Sequence, residues 1–165
     1  MFPMALIVQK FGGTSVADTD SLRIVAERII ECKKEGYDVV VVPSAMGSST
    51  DELIQLANNL SEEPTPREMD MLLSAGERIT MSLLSMHLNS LGYNSFSLTG
   101  SQAGIITTSR HGQAEIEEIT GERVKDGLDN DRDSDDFSDV DGNGFPWTDN
   151  NGNGLFDVGI DAVEA

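Results

Sequence analysis

The sequence predicts an α/β fold, an α/β sandwich, on three observations. Two short runs, residues 5–9 (ALIVQ) and 37–43 (YDVVVVP), are apolar and β-branched nearly throughout, as strands covered on both faces of a parallel sheet are. Between them, residues 20–35 place Leu22, Val25, Ala26, Ile29 and Ile30 at helical spacing. Strand, helix and strand in such quick succession make a βαβ unit, which crosses over right-handed.

Asp18, Thr19 or Asp20 can cap the first helix, and Gly36 can end it. Ser49 with Glu52 predicts a capping box ahead of Leu53, Leu56, Ala57 and Leu60. Thr65 with Glu68 predicts another, with Pro66 at the favoured first helical position. That helix runs towards Gly92, with Met69, Leu72, Leu73, Ile79, Leu83, Leu84, Leu88 and Leu91 as its expected buried stripe. Gly76 falls inside the pattern and marks a break or a close approach. Residues 93–98 (YNSFSL) predict a third strand and residues 105–107 a fourth. In such a sheet the loops at the C-terminal ends of the strands are the ligand face.

Charge divides the chain. Residues 1–116 carry 14 acidic and 8 basic side chains, whereas residues 117–165 carry 15 acidic and 3 basic. Two segments are therefore expected: a globular 1–116 and an Asp/Asn/Gly-rich 117–165. A net charge of -18 argues against nucleic-acid and anionic-membrane partners, which need a basic face. No apolar run approaches the ~20 residues of a membrane-spanning helix. The first residues lack the basic start and long apolar stretch of a secretion signal, so the front segment reads as cytoplasmic. Cys32, the single cysteine, excludes an intrachain disulfide and reads as a packed thiol. His87 and His111 are too far apart in the sequence to suggest a metal site.

Chemistry enters at KFGGTSV. Lys10 ends the first strand, and Gly12 and Gly13 let the backbone turn with N–H groups facing outward. Such a concave set of donors beside a lysine binds phosphate oxygens. No Walker A spacing is present, and on physical grounds a phosphate cradle and an ordinary tight turn account for the glycine pair equally well. A second loop, PSAMGSSTDEL, sets Ser44, Gly47, Ser48, Ser49 and Thr50 between the second strand and a helix, so the two loops can face one cleft. The plainer role of Ser49 is to cap that helix.

LIVQKFGGTSV, VVVVPSAMGSSTDEL, REMDMLLSAGERIT and SLTGSQAGI, in this order and spacing, closely resemble the N-terminal part of bacterial aspartate kinases, over roughly residues 4–116. The resemblance implies the three-layer α/β/α sandwich of the amino acid kinase type. It implies transfer of the ATP γ-phosphate to the side-chain carboxylate of L-aspartate with Mg²⁺, the first step towards lysine, threonine and methionine. Lys10 would act on the transferring phosphoryl group, and Phe11, Gly12, Gly13 and Ser44 would line the ATP phosphates. Thr50 and Glu77 would hold the amino acid. A homo-oligomer is compatible with this family. Three positions depart from the family pattern: Ser48 in place of a frequent lysine, Pro43 after the valine run, and Ser101 in place of a usual tryptophan. The family's later glycine-rich G-R-G-G-S-D block and its regulatory domains have no recognisable counterpart, so low or absent activity is expected of this chain alone.

The acidic segment carries a different pattern. DNDRDSDDFSD alternates carboxylates at Asp129, Asp131, Asp133 and Asp135, and D-x-[DN]-x-N-G occurs at Asp139 and Asp149. Oxygen ligands at alternate positions followed by glycine suit a Ca²⁺ loop, here Asp149, Asn151, Asn153, the Leu155 carbonyl and Asp157. Ile160 stands where an EF-hand needs glutamate. The pattern resembles the Asp/Asn-Gly calcium repeats of secreted bacterial proteins, and a calcium-binding module on a non-catalytic α/β scaffold is the alternative reading. A solvated acidic tail is the plainer one.

Overall fold

The computed structural model describes residues 5–125 and 127. Strands β1 (Leu6–Phe11) and β2 (Asp38–Pro43) flank helix α1 (Thr19–Lys34), as the βαβ pattern predicts. They pair in parallel from Leu6 opposite Asp38 to Phe11 opposite Pro43. Helices α2 (Ser49–Leu60) and α3 (Pro66–Ser90) follow, then strands β3 (Ile105–Thr107) and β4 (Ile116–Ile119).

The pleat sends Phe11, Val39 and Val41 to one face of β1–β2, where they join a core with Val16, Leu22, Val25, Ala26, Ile29, Ile30, Leu84 and Leu88. The core is thus one sheet face closed by α1 and the C-terminal half of α3. The opposite face carries Leu6, Val8 and Val42, all exposed, together with Lys10.

Asp18 caps α1: its carboxylate accepts from the Ser21 backbone N–H at 2.7 Å. That bond, with further help from the Ser21 hydroxyl, holds the Asp18 carboxyl below its usual range. At the other end Gly36, at φ 90°, closes the helix. Its N–H reaches the Lys33 carbonyl, and the Tyr37 N–H reaches Cys32, the paired bonds of a Schellman motif. Gly92, Asn89, Tyr93 and Leu88 repeat that motif at the end of α3. Cys32 is half-buried and receives a hydrogen bond from the Gln9 side chain at 3.0 Å.

Four local expectations are corrected. Residues 93–98 form no strand; among the described residues no neighbouring strand offers them a ladder. The Asn89 side chain stands in for one, donating to the Ser95 carbonyl and accepting from its N–H, both at 2.8 Å. Residues 105–107 are a strand, but they pair antiparallel with β4 in a separate hairpin. Neither capping box forms. Ser48 stands at the N-cap position of α2 without a side-chain cap and donates to the Glu52 side chain instead, while Ser49 donates to the Met46 carbonyl at 2.6 Å. Thr65 precedes α3 without a side-chain cap, although Pro66 does open the helix. Finally, the buried stripe of α3 is Asp70, Ser74, Gly76, Thr80, Leu84 and Leu88, with Ile79, Leu83 and Leu91 exposed. Small and polar residues line the first half, where Gly76 packs against Ala45 and Asp70 meets residues 111 and 112.

Candidate functional site

The two loops predicted to share a cleft are joined. The Ser44 N–H donates to the Phe11 carbonyl at 2.9 Å, extending the parallel ladder one step past the strands. The Gly47 N–H donates to the Gly13 carbonyl at 3.2 Å. A β-carbon on Gly13 would stand 3.1 Å from the Ala45 carbonyl oxygen and 3.4 Å from that of Gly47, tighter than ordinary packing. Glycine at position 13 lets the second loop's backbone come this close without displacing it. Gly47 itself, at φ 51°, turns in a conformation that favours glycine.

Lys10 reaches over the first loop, since a β-carbon at Gly12 would lie 3.8 Å from Nζ. Its ammonium therefore sits beside the turn whose leading N–H groups begin the short helix Gly13–Val16 and have no acceptor within it. Phe11, between Lys10 and Gly12, is buried in the core and anchors the turn.

Helix α3 supplies the third wall. Gly76 packs against the second loop, and the next residue, Glu77, accepts from the Ala45 N–H through Oε1 at 3.3 Å. Glu77 Oε2 is buried with no partner among the described residues. A buried, half-satisfied carboxylate is costly and favours a cationic donor beside it. Thr50 lies in the first turn of α2, half-buried, with no hydrogen bond joining it to Glu77. Of the predicted residues, Lys10, Phe11, Gly12, Gly13 and Ser44 converge around the two loops, with Glu77 touching the second. Asp129, Asp131, Asp133, Asp135, Asp149, Asn151, Asn153 and Asp157 lie outside the described residues.

The family model for the amino acid kinase family matches residues 5–133. The chain belongs to the amino acid kinase family. The aspartokinase of Mycolicibacterium smegmatis is 60% identical over 126 residues, covering 76% of this chain and 30% of that protein. The aspartokinase of Corynebacterium glutamicum is 56% identical over 126 residues, with the same coverages. A crystal structure of aspartate kinase from Synechocystis matches with a TM-score of 0.65 at 46% identity, covering 74% of this chain and 20% of that one. This amino acid kinase segment thus spans about 30% of the length of the curated relatives it matches. The match runs past residue 116, and β4 straddles the expected division there. No helix among the described residues is long and apolar enough to cross a membrane.

Sequence reasoning missed Asp70. Its side chain is 6% exposed, and it accepts from His111 Nδ1 at 3.0 Å and from the Gly112 N–H at 3.1 and 3.0 Å. A carboxylate inside an otherwise small or apolar stripe was the only available signal.

Proposed function

We propose that this chain carries the phosphate-loop and amino-acid side of an aspartate kinase site, and that alone it transfers phosphate slowly or not at all. The observation that carries the reading is the convergence of the Lys10–Gly13 turn, the Ser44–Gly47 loop and Glu77 in one place. In this assignment Lys10 and the N–H groups of Gly12 and Gly13 face the ATP phosphates, with Phe11 and Ser44 lining them. Thr50 and Glu77 hold L-aspartate, Glu77 Oε2 taking its ammonium group.

The chemistry suits so few groups. The substrate carboxylate is ionised at neutral pH, so no general base is required. One carboxylate oxygen bonds to the γ-phosphorus as the bond to the β-phosphate oxygen breaks, giving an acyl phosphate and ADP. Catalysis is then positioning plus neutralisation of charge on the transferring group, which Lys10 provides. Mg²⁺, when bound with ATP, neutralises further phosphate charge. Among the described residues no group of three or more His, Cys, Asp or Glu could hold a metal ion.

Trapping the product as a hydroxamate tests the assignment. Full chain given MgATP and L-aspartate is expected to form it slowly at most, and Lys10→Ala to remove whatever is formed. Robust formation by the wild-type chain, abolished by Lys10→Ala, would overturn the expectation of slow transfer, and formation that survives Lys10→Ala would sink the role given to Lys10.

For the acidic segment, the D-x-[DN]-x-N-G spacing supports Ca²⁺ binding at Asp149, Asn151, Asn153 and Asp157, with a weaker set at Asp129, Asp131, Asp133 and Asp135.

A further inference from the structure

Asp70 and Glu77 are seven residues apart on α3, so they leave the helix on one stripe, about 10 Å apart along its axis. Glu77 touches the second loop through Ala45. Asp70 holds something else: the turn of the β3–β4 hairpin, through His111 and Gly112.

The chain between α3 and that turn is pinned twice. After Gly92 it is fixed at Ser95 by Asn89 and by the Ser85 hydroxyl, and it is fixed again at residues 111–112 by Asp70. It therefore travels back along α3 from its last turns towards its first. Between the pins in sequence lies the Thr99–Gly104 turn, and between Ser85 and Asp70 on the helix lies Glu77. The turn is internally stiff: Ala103 donates to the Thr99 carbonyl at 2.8 Å and Ile105 to the Gly100 carbonyl at 2.8 Å. It passes directly into β3, so the hairpin acts as its arm. At the arm's near end the Thr120 N–H donates to the Gly104 carbonyl at 3.0 Å, and at its far end Thr108 donates to Glu115 at 2.9 Å.

We propose that Asp70 is a positioning residue for the amino-acid subsite: by clamping the hairpin turn to α3 it sets where the Thr99–Gly104 turn stands relative to Glu77. This rests on the assignment of L-aspartate to Glu77. Asp70 touches no substrate. It is buried and accepts from two donors 41 and 42 residues away, the His111 ring and the Gly112 N–H, which is shared between both carboxylate oxygens; a freely hanging hairpin needs neither.

Amide hydrogen exchange and L-aspartate titration of the full chain, followed by NMR, test it. Asp70→Asn is expected to speed exchange at Gly112 and at Ala103, Gly104 and Ile105 at least tenfold, leaving the α1 core amides unchanged. The same variant is expected to weaken L-aspartate binding at least threefold. His111→Ala should reproduce both effects. His111→Asn, whose amide nitrogen can replace Nδ1 as donor, should restore both, which a general loss of stability would not. Unchanged exchange at Ala103, Gly104 and Ile105 in Asp70→Asn and His111→Ala overturns the proposal. So does undiminished L-aspartate affinity when those amides exchange faster. If the wild-type chain shows no L-aspartate response, the Glu77 assignment is what fails, and the amide exchange still reports whether Asp70 sets the turn.

Discussion

A β-carbon at position 76 would stand 2.8 Å from the Ala45 β-carbon, a separation that real side chains do not adopt. Two effects oppose each other in Gly76→Ala. Helix propensity favours alanine by about 1 kcal/mol. Overpacking costs about 1–3 kcal/mol, because α3 must back away from the second loop. The clash wins or draws, so a net loss of up to about 2 kcal/mol is expected in urea unfolding. Ala45→Gly should recover much of it in a double-mutant cycle, because the two carbons contend for one space. Gly76 was visible in the sequence as a break or a close approach; which of these it is depends on Ala45, 31 positions away. Lys10, Phe11, Gly12 and Gly13 are contiguous, so the sequence alone puts them in one turn. Asp70 and His111 were not legible, since their spacing has no signature and only the fold brings them together.

At the scale of elements, strand and helix periodicity predicted β1, α1, β2, α2 and α3, because each has a long apolar pattern and α1 has clear end signals. The failures share a cause. Residues 93–98 have the alternation of a strand, but a strand exists only with a partner, and here Asn89 supplies the bonds instead. The stripe of α3 was misjudged because its first half buries residues without a leucine-type signal: Gly76 against Ala45, and Ser74 and Thr80 with their hydroxyls bonded back to the Met71 and Gly76 carbonyls of the helix itself. Its second half meets the core, and there the expectation for Leu84 and Leu88 holds. Leu84, 3% exposed, and Leu60, 91% exposed, make the contrast measurable. Leu84→Ala is expected to cost about 2–5 kcal/mol through lost burial and an unfilled cavity. Leu60→Ala should stay within about 0.5 kcal/mol, and equal losses would mean that the core is misplaced.

For the molecule as a whole, the β1–β2 pair is apolar on both faces, and among the described residues one face is covered. Leu6, Val8 and Val42 stand open beside Lys10. Strands of this composition belong to sheets closed on both sides. The relatives that share this segment are over three times as long as the region they share with it. The fold class, the family and the two loops were legible from residues 5–107 or so, because they rest on motifs. The relation of the hairpin to α3 was not, because it rests on a single buried carboxylate. Thermal unfolding of the purified chain, alone and with MgATP, L-aspartate or Ca²⁺, tests the central claim most directly, since a ligand that binds only the folded state raises the midpoint. The account predicts a cooperative transition raised by MgATP in the wild-type chain and unmoved by MgATP in Lys10→Ala. A midpoint that ignores MgATP, or that rises equally in both proteins, would contradict a phosphate cradle at Lys10.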